Sequence, residues 1–84
     1  MKKKLISILG STGSIGSTAL NIVDSKSSFF KINLLSANKN YNLICKQIKK
    51  YKPAIFVITN PLIYEKIKKK FNNKNIKLFN NFDF

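Results

Sequence analysis

Ile8-Leu9-Gly10-Ser11-Thr12-Gly13-Ser14-Ile15-Gly16 is the stretch whose reading decides the fold. It begins where a short apolar run, Leu5-Ile6-Ser7-Ile8-Leu9, stops, and it ends where a helical pattern starts. The apolar run reads as a strand covered on both faces in a parallel sheet. Downstream, Ile15, Thr18, Ala19, Ile22 and Val23 follow the i, i+3, i+4, i+7, i+8 stripe of an amphipathic helix that ends near residues 24–28. Glycines at a strand-to-helix turn open backbone angles closed to other residues. They also let amide N–H groups approach a phosphate lying on the positive end of the helix. That arrangement seats the pyrophosphate of a dinucleotide. The spacing here is G-x-x-G-x-x-G and not G-x-G-x-x-G, so the flanking strand and helix carry more of the argument than the glycines do. The bland reading is a Gly-rich turn with a purely structural role. A Walker phosphate loop does not fit, because Gly16 stands where the lysine before Ser17 would be required and Ile15 where its glycine would be.

Outward from the turn, strands and helices alternate. Lys31-Ile32-Asn33-Leu34-Leu35-Ser36 predicts a second strand, and residues 40–51 a helix with Ile44, Ile48 and Tyr51 on one face. Pro53 disfavours helix at Lys52. Ala54-Ile55-Phe56-Val57-Ile58 is another buried-strand run, and Asn60-Pro61 supplies an N-cap and a first helical residue. The helix that follows turns Ile63, Ile67 and Phe71 inward and Lys66, Lys68, Lys69 and Lys70 outward. Ile76-Lys77-Leu78-Phe79 predicts a fourth strand, after which no covering helix follows, so the chain reads as cut off. This order predicts an α/β fold, a Rossmann-type doubly wound parallel sheet of which residues 1–84 form the N-terminal portion, as one domain.

Composition narrows the function classes. With 44% apolar residues in short runs, the chain has a globular profile. A net charge of +13 would ordinarily suggest nucleic acid or an anionic membrane as partner. All 16 basic residues are lysine, however, in a chain also crowded with Asn, Ile and Phe, the set that A+T-rich codons encode. A nucleic-acid reader more often uses arginine, whose planar fork holds phosphates bidentately. No nucleic-acid partner is therefore expected. With Cys45 the single cysteine and no histidine, the chain cannot build a disulfide, a zinc site or a Cys/His nucleophile, and Cys45 is expected in the core. The lysines at the start and the apolar run after them are too short for a secretory signal, whose apolar region needs roughly 7–15 residues. No run approaches the roughly 20 residues of a membrane span, so a soluble, reducing compartment is expected.

The loop after the second strand should choose the cofactor. Enzymes that use NAD place an Asp or Glu there to hold the ribose 2′-hydroxyl, and that carboxylate would repel a 2′-phosphate. Here the loop reads Ser36-Ala37-Asn38-Lys39-Asn40, with no acid. Lys39 can neutralise a phosphate, and Ser36, Asn38 and Asn40 can donate hydrogen bonds to it, which points to NADP. The competing reading is an ordinary polar loop in a lysine-rich chain.

Residues 8–16, the Ser36-Ala37-Asn38-Lys39-Asn40 loop and Lys52-Pro53 together resemble the opening of the 1-deoxy-D-xylulose 5-phosphate reductoisomerase family, over essentially the whole chain. The resemblance implies an NADPH-binding portion in which Thr12, Gly13, Ser14 and Ile15 contact the cofactor phosphates and neighbouring groups, and Lys39 and Asn40 lie at the adenosine end. Asn38 stands where the family usually has glycine, so a positive φ or close approach there would have to be met by asparagine. The implied reaction rearranges 1-deoxy-D-xylulose 5-phosphate and reduces the product with NADPH to 2-C-methyl-D-erythritol 4-phosphate, an isoprenoid precursor, with Mg²⁺ or Mn²⁺ holding the substrate oxygens. Such a metal needs clustered oxygen ligands, and Asp24, Glu65 and Asp83, the three acids of the chain, are too scattered to converge. Catalytic and metal residues are therefore expected beyond Phe84, leaving this segment inactive alone. The full-length protein is expected to be a homodimer in the bacterial cytoplasm, with a plastid-type organelle as the minor option. The alternatives are another NADP-dependent Rossmann dehydrogenase of the semialdehyde dehydrogenase type, or a non-catalytic basic remnant that binds nucleotide or nucleic acid.

Overall fold

The computed structural model describes residues 3–72 and 74–83. Seven elements alternate: β1 (Lys4–Ile8), α1 (Ser14–Ser25), β2 (Phe30–Ala37), α2 (Tyr41–Tyr51), β3 (Ile55–Ile58), α3 (Pro61–Lys70) and β4 (Lys77–Phe79). The four strands are parallel and lie in the order β1-β2-β3-β4. Each right-handed crossover therefore steps the same way across the sheet, which places the three helices on one face. This is one wing of a doubly wound sheet, with β1 at its edge among the described residues.

The core lies between that face and the helices. Ile8, Leu35 and Phe56 share one row of the sheet register, continued by Leu78 on β4. Against them pack Leu20 of α1, Ile44, Cys45 and Ile48 of α2, and Ile67 and Phe71 from α3 and its C-cap. Cys45 is a buried free thiol, as its place among apolar residues led one to expect.

The ends of the helices follow from their sequences. Asn60 Oδ1 accepts hydrogen bonds from the amides of Leu62 and Ile63, both at 3.1 Å, and Pro61 opens α3. Asn40 Oδ1 caps α2 through the Leu43 amide at 3.2 Å. Lys52 ends α2 in the left-handed region, at φ 46° and ψ 55°. A side chain there carries a steric cost that glycine lacks. Lys52→Gly is accordingly expected to stabilise the chain by about 0.5–1 kcal/mol, read as a thermal midpoint several degrees higher. An unchanged or lowered midpoint would contradict this.

Two features depart from the sequence reading. First, α1 does not bury the stripe that its periodicity suggests. Gly16 and Leu20 are its buried residues, with Ala19 and Val23 beside the core, whereas Ile15 is 87% exposed and Ile22 also faces outward. The helix is rotated because Gly16 has to face the turn, where its missing side chain permits close contact. Second, β1 is covered on one face only. Leu5 and Leu9 are each 66% exposed, since the helices of this chain all occupy the opposite face.

Candidate dinucleotide-binding site

Parallel α/β sheets bind ligands outside the carboxyl ends of their strands. In this chain the ends of β1 and β2 lie side by side and carry the two segments singled out by sequence. Gly10 follows β1 at φ +68°, a conformation that favours glycine. The chain turns through Ser11 and Thr12, and Gly13 forms the N-cap of α1. A Cβ on Gly16 would overlap the Gly10 carbonyl oxygen and lie 2.8 Å from Ser11 Cα, so this glycine lets α1 rest directly on the turn. A Cβ on Gly13 would meet only the Gly10 oxygen, at 3.5 Å, an ordinary contact. The packing of the described residues does not demand glycine at 13, which is also an accepted N-cap residue and stands exposed at the outer side of the turn.

The amides of the turn divide into committed and open groups. Gly10 N–H donates to Ser36 Oγ at 3.0 Å, Ser11 N–H to the Ser36 carbonyl at 2.7 Å, and Gly13 N–H to the Gly10 carbonyl at 3.1 Å. Among the described residues, the amides of Thr12, Ser14, Ile15 and Gly16 have no partner within the chain, and of these Gly16 is buried. The helix has no side-chain cap and no acid in its first turn, so its positive end is uncompensated. Most helices would satisfy such donors with Ser, Asp or Asn at the cap, as α2 and α3 do here. A concavity lined by Leu9, Gly10, Gly13, Ser14, Ile15 and Gly16 lies over this start. The arrangement fits an anion of pyrophosphate size.

At the end of β2, Asn38, Lys39 and Asn40 are exposed. Lys39 borders a hollow shared with Asn60, Lys66 and Lys69. The Asn40 side chain has its oxygen engaged in capping α2, which leaves its amide nitrogen as the donor. Ser36 is not available as expected: it is buried, and both its hydroxyl and its carbonyl accept amides of the glycine turn. Asn38 needs no left-handed conformation, since among the described residues only Gly10 and Lys52 have positive φ. The sequence reading passed over Ser36 as a support and missed Gln47, described below. The signal for Gln47 was present, since it is a polar residue within the inward stripe Ile44, Ile48, Tyr51 of α2.

Of the acids, Asp24 stands apart from this site, whereas Glu65 lines the same hollow as Lys39. Asp24 pairs with Lys50 at 3.2 Å, linking α1 to α2 at the surface, and this carboxylate raises the Lys50 pKa above the ordinary lysine value. Glu65 lies on exposed α3. Among the described residues no three His, Cys, Asp or Glu side chains converge, so the donor set does not fit a divalent cation. No helix among them is long and apolar enough to cross a membrane.

A one-directional parallel sheet with a glycine turn after its first strand places the chain in the class of α/β proteins whose ligands sit outside the carboxyl ends of the strands. The family model of 1-deoxy-D-xylulose 5-phosphate reductoisomerase matches residues 6–82, and the chain belongs to that family. The reductoisomerase of Pelagibacter ubique is 42% identical over 80 residues, which cover 95% of this chain and 21% of the relative. That of Porphyromonas gingivalis is 42% identical over 77 residues, covering 92% and 20% respectively. The chain thus spans about one fifth of the length of these curated relatives. Among solved structures, the Zymomonas mobilis reductoisomerase in complex with NADPH aligns with a TM-score of 0.83 at 23% identity, over 93% of this chain and 21% of that one. A second, in complex with NADPH, fosmidomycin and magnesium, aligns at 0.82 with 21% identity, over 93% and 19%. These likenesses establish the fold.

Proposed function

We propose that this chain is the NADPH-binding segment of a reductoisomerase that converts 1-deoxy-D-xylulose 5-phosphate to 2-C-methyl-D-erythritol 4-phosphate. The observation that carries the reading is the bare start of α1: open amides at an uncompensated helix end, beside a loop with a lysine and no acid. The amides of Thr12, Ser14 and Ile15 receive the pyrophosphate, and Gly13 keeps the approach clear. Lys39 and the Asn40 amide hold the adenosine 2′-phosphate. NADPH, once bound, supplies the hydride for the reductive step. The residues of this segment bind and orient it; they provide no metal ligand and no catalytic group. Substrate and the Mg²⁺ or Mn²⁺ ion are left to the remainder of the longer family sequence, and the complete enzyme is a homodimer in the bacterial cytoplasm. The bacterial relatives and the NADPH-bound structural neighbours support this assignment.

The test is a titration of the complete gene product with NADPH and NADH. Lys39→Ala should narrow the preference for NADPH about tenfold, the scale of one charge-assisted hydrogen bond. Equal affinity for the two cofactors in the unaltered protein, or an unchanged ratio in the variant, would overturn the assignment of Lys39.

A further inference from the structure

We infer that Gln47, reaching from α2, is a positioning residue that holds the glycine turn in its cofactor-binding shape without touching the cofactor. The inference rests on the proposed NADPH site and adds to it the support beneath the turn.

Gln47 makes a two-point contact with a single residue. Its Oε1 accepts the Ser11 hydroxyl at 2.6 Å, and its Nε2 donates to the Ser11 carbonyl at 2.9 Å. Both partners are nearly solvent-free, Ser11 at 0% and Gln47 at 4% exposure. A primary amide is suited to this task, because it offers a donor and an acceptor side by side, matching a carbonyl and a hydroxyl on one residue. The other side of the turn is held by Ser36, which accepts the Gly10 and Ser11 amides. Gly10 and Ser11 are thus fixed from two neighbouring elements, while the next amide, that of Thr12, remains open.

This geometry has a consequence for binding. The Ser11 carbonyl is taken by the Gln47 amide, with the Ser17 hydroxyl also directed at it from 3.5 Å. With that oxygen held inward, the peptide between Ser11 and Thr12 presents its N–H outward, to where the pyrophosphate would lie, because carbonyl and N–H point in opposite directions across a trans peptide. Released from Gln47, the same peptide could rotate and turn its carbonyl oxygen toward the anion. Preorganisation of a donor set before the ligand arrives raises affinity by removing the ordering cost from the binding step.

The experiment compares the unaltered gene product with Gln47→Leu and Gln47→Glu, measuring NADPH affinity well below the thermal midpoint and the midpoint itself. Gln47→Leu should weaken NADPH binding at least tenfold while the far-ultraviolet dichroism stays that of the folded protein. In Gln47→Glu the ionised carboxylate keeps the acceptor but loses the donor. Binding relative to the unaltered protein should therefore be poor at pH 8 and recover toward pH 6, as the buried acid gains a proton and with it a donor. The charged groups beside it are Lys46 and Lys50 on α2 and, from α1, Asp24, which pairs with Lys50; Tyr51 completes the groove. Equal NADPH affinity in Gln47→Leu overturns the inference. Should that variant fail to fold, a Gln47→Glu profile parallel to that of the unaltered protein overturns it instead. Failure of the unaltered protein to bind NADPH at any pH would overturn the binding site itself, and is a separate outcome.

Discussion

Gly16→Ala is expected to be the most destabilising single-methyl change in this chain, costing about 3 kcal/mol and lowering the thermal midpoint by about 15 °C. The added Cβ would overlap the Gly10 carbonyl oxygen and stand 2.8 Å from Ser11 Cα and 2.9 Å from the Gly10 carbonyl carbon. All three atoms are backbone and cannot swing aside as a flexible side chain would. Relief requires α1 to move off the turn, which disturbs the Ser36 and Gln47 hydrogen bonds as well as Leu20, the buried anchor of that helix. Gly10→Ala provides the contrast. Its Cβ would meet nothing within 4 Å, so its cost is that of φ +68° alone, about 1–2 kcal/mol. Thermal melts of the two variants rank the effects directly. A Gly16→Ala midpoint within a few degrees of the unaltered protein would show that the helix does not rest on the turn.

Gly13→Val should produce the largest effect on binding and a much smaller one on folding. Gly13 has φ −77° and ψ 172°, open to any residue, and a Cβ there makes only an ordinary contact. The exchange of a tolerated N-cap residue for valine costs about 1 kcal/mol of helix stability. The branched side chain, however, stands among the open amides of Thr12, Ser14 and Ile15, in the space that a pyrophosphate would fill. NADPH affinity is expected to fall at least about 100-fold, or about 2.7 kcal/mol. A folded Gly13→Val protein that still binds NADPH normally would remove the pyrophosphate from this turn. The pair of glycines would separate two roles that the spacing alone leaves merged: Gly16 serves packing, and in the proposed site Gly13 would serve access.

Some surfaces of the chain acquire their meaning only from the direction of the sheet. The strand order steps one way, so Leu5 and Leu9 on the uncovered face and Ile15 and Ile22 on the outer side of α1 remain exposed. A reader of the apolar runs assigns all of these to a core. The runs report a tendency to burial, but they do not say which face of the sheet the helices cover.

The alternation of strands and helices, the cap at Asn60, the end of α2 before Pro53 and the glycine turn after β1 were all legible in the sequence, whereas the cap at Asn40 was not read there. Each depends on local physics: a periodicity of two or 3.6, a side chain reaching its own helix start, a proline ring excluding helix from the residue before it. The family resemblance was legible for the same reason, since its motifs are contiguous. What the tertiary structure alone decided lies in contacts between distant residues. The register between β1 and β2 shifts after Ile6, with Ile6 opposite Ile32 and Ser7 opposite Leu34, so that Asn33 is the extra residue. This bulge places Ile32 and Leu35 on the same covered face, against the simple alternation that would have paired Ile32 with Leu34. Likewise the rotation of α1 about Gly16, the diversion of Ser36 from the cofactor to the turn, and the clasp of Gln47 on Ser11 all join residues about 6 to 36 positions apart in sequence, and such contacts follow from packing, which local propensity does not encode.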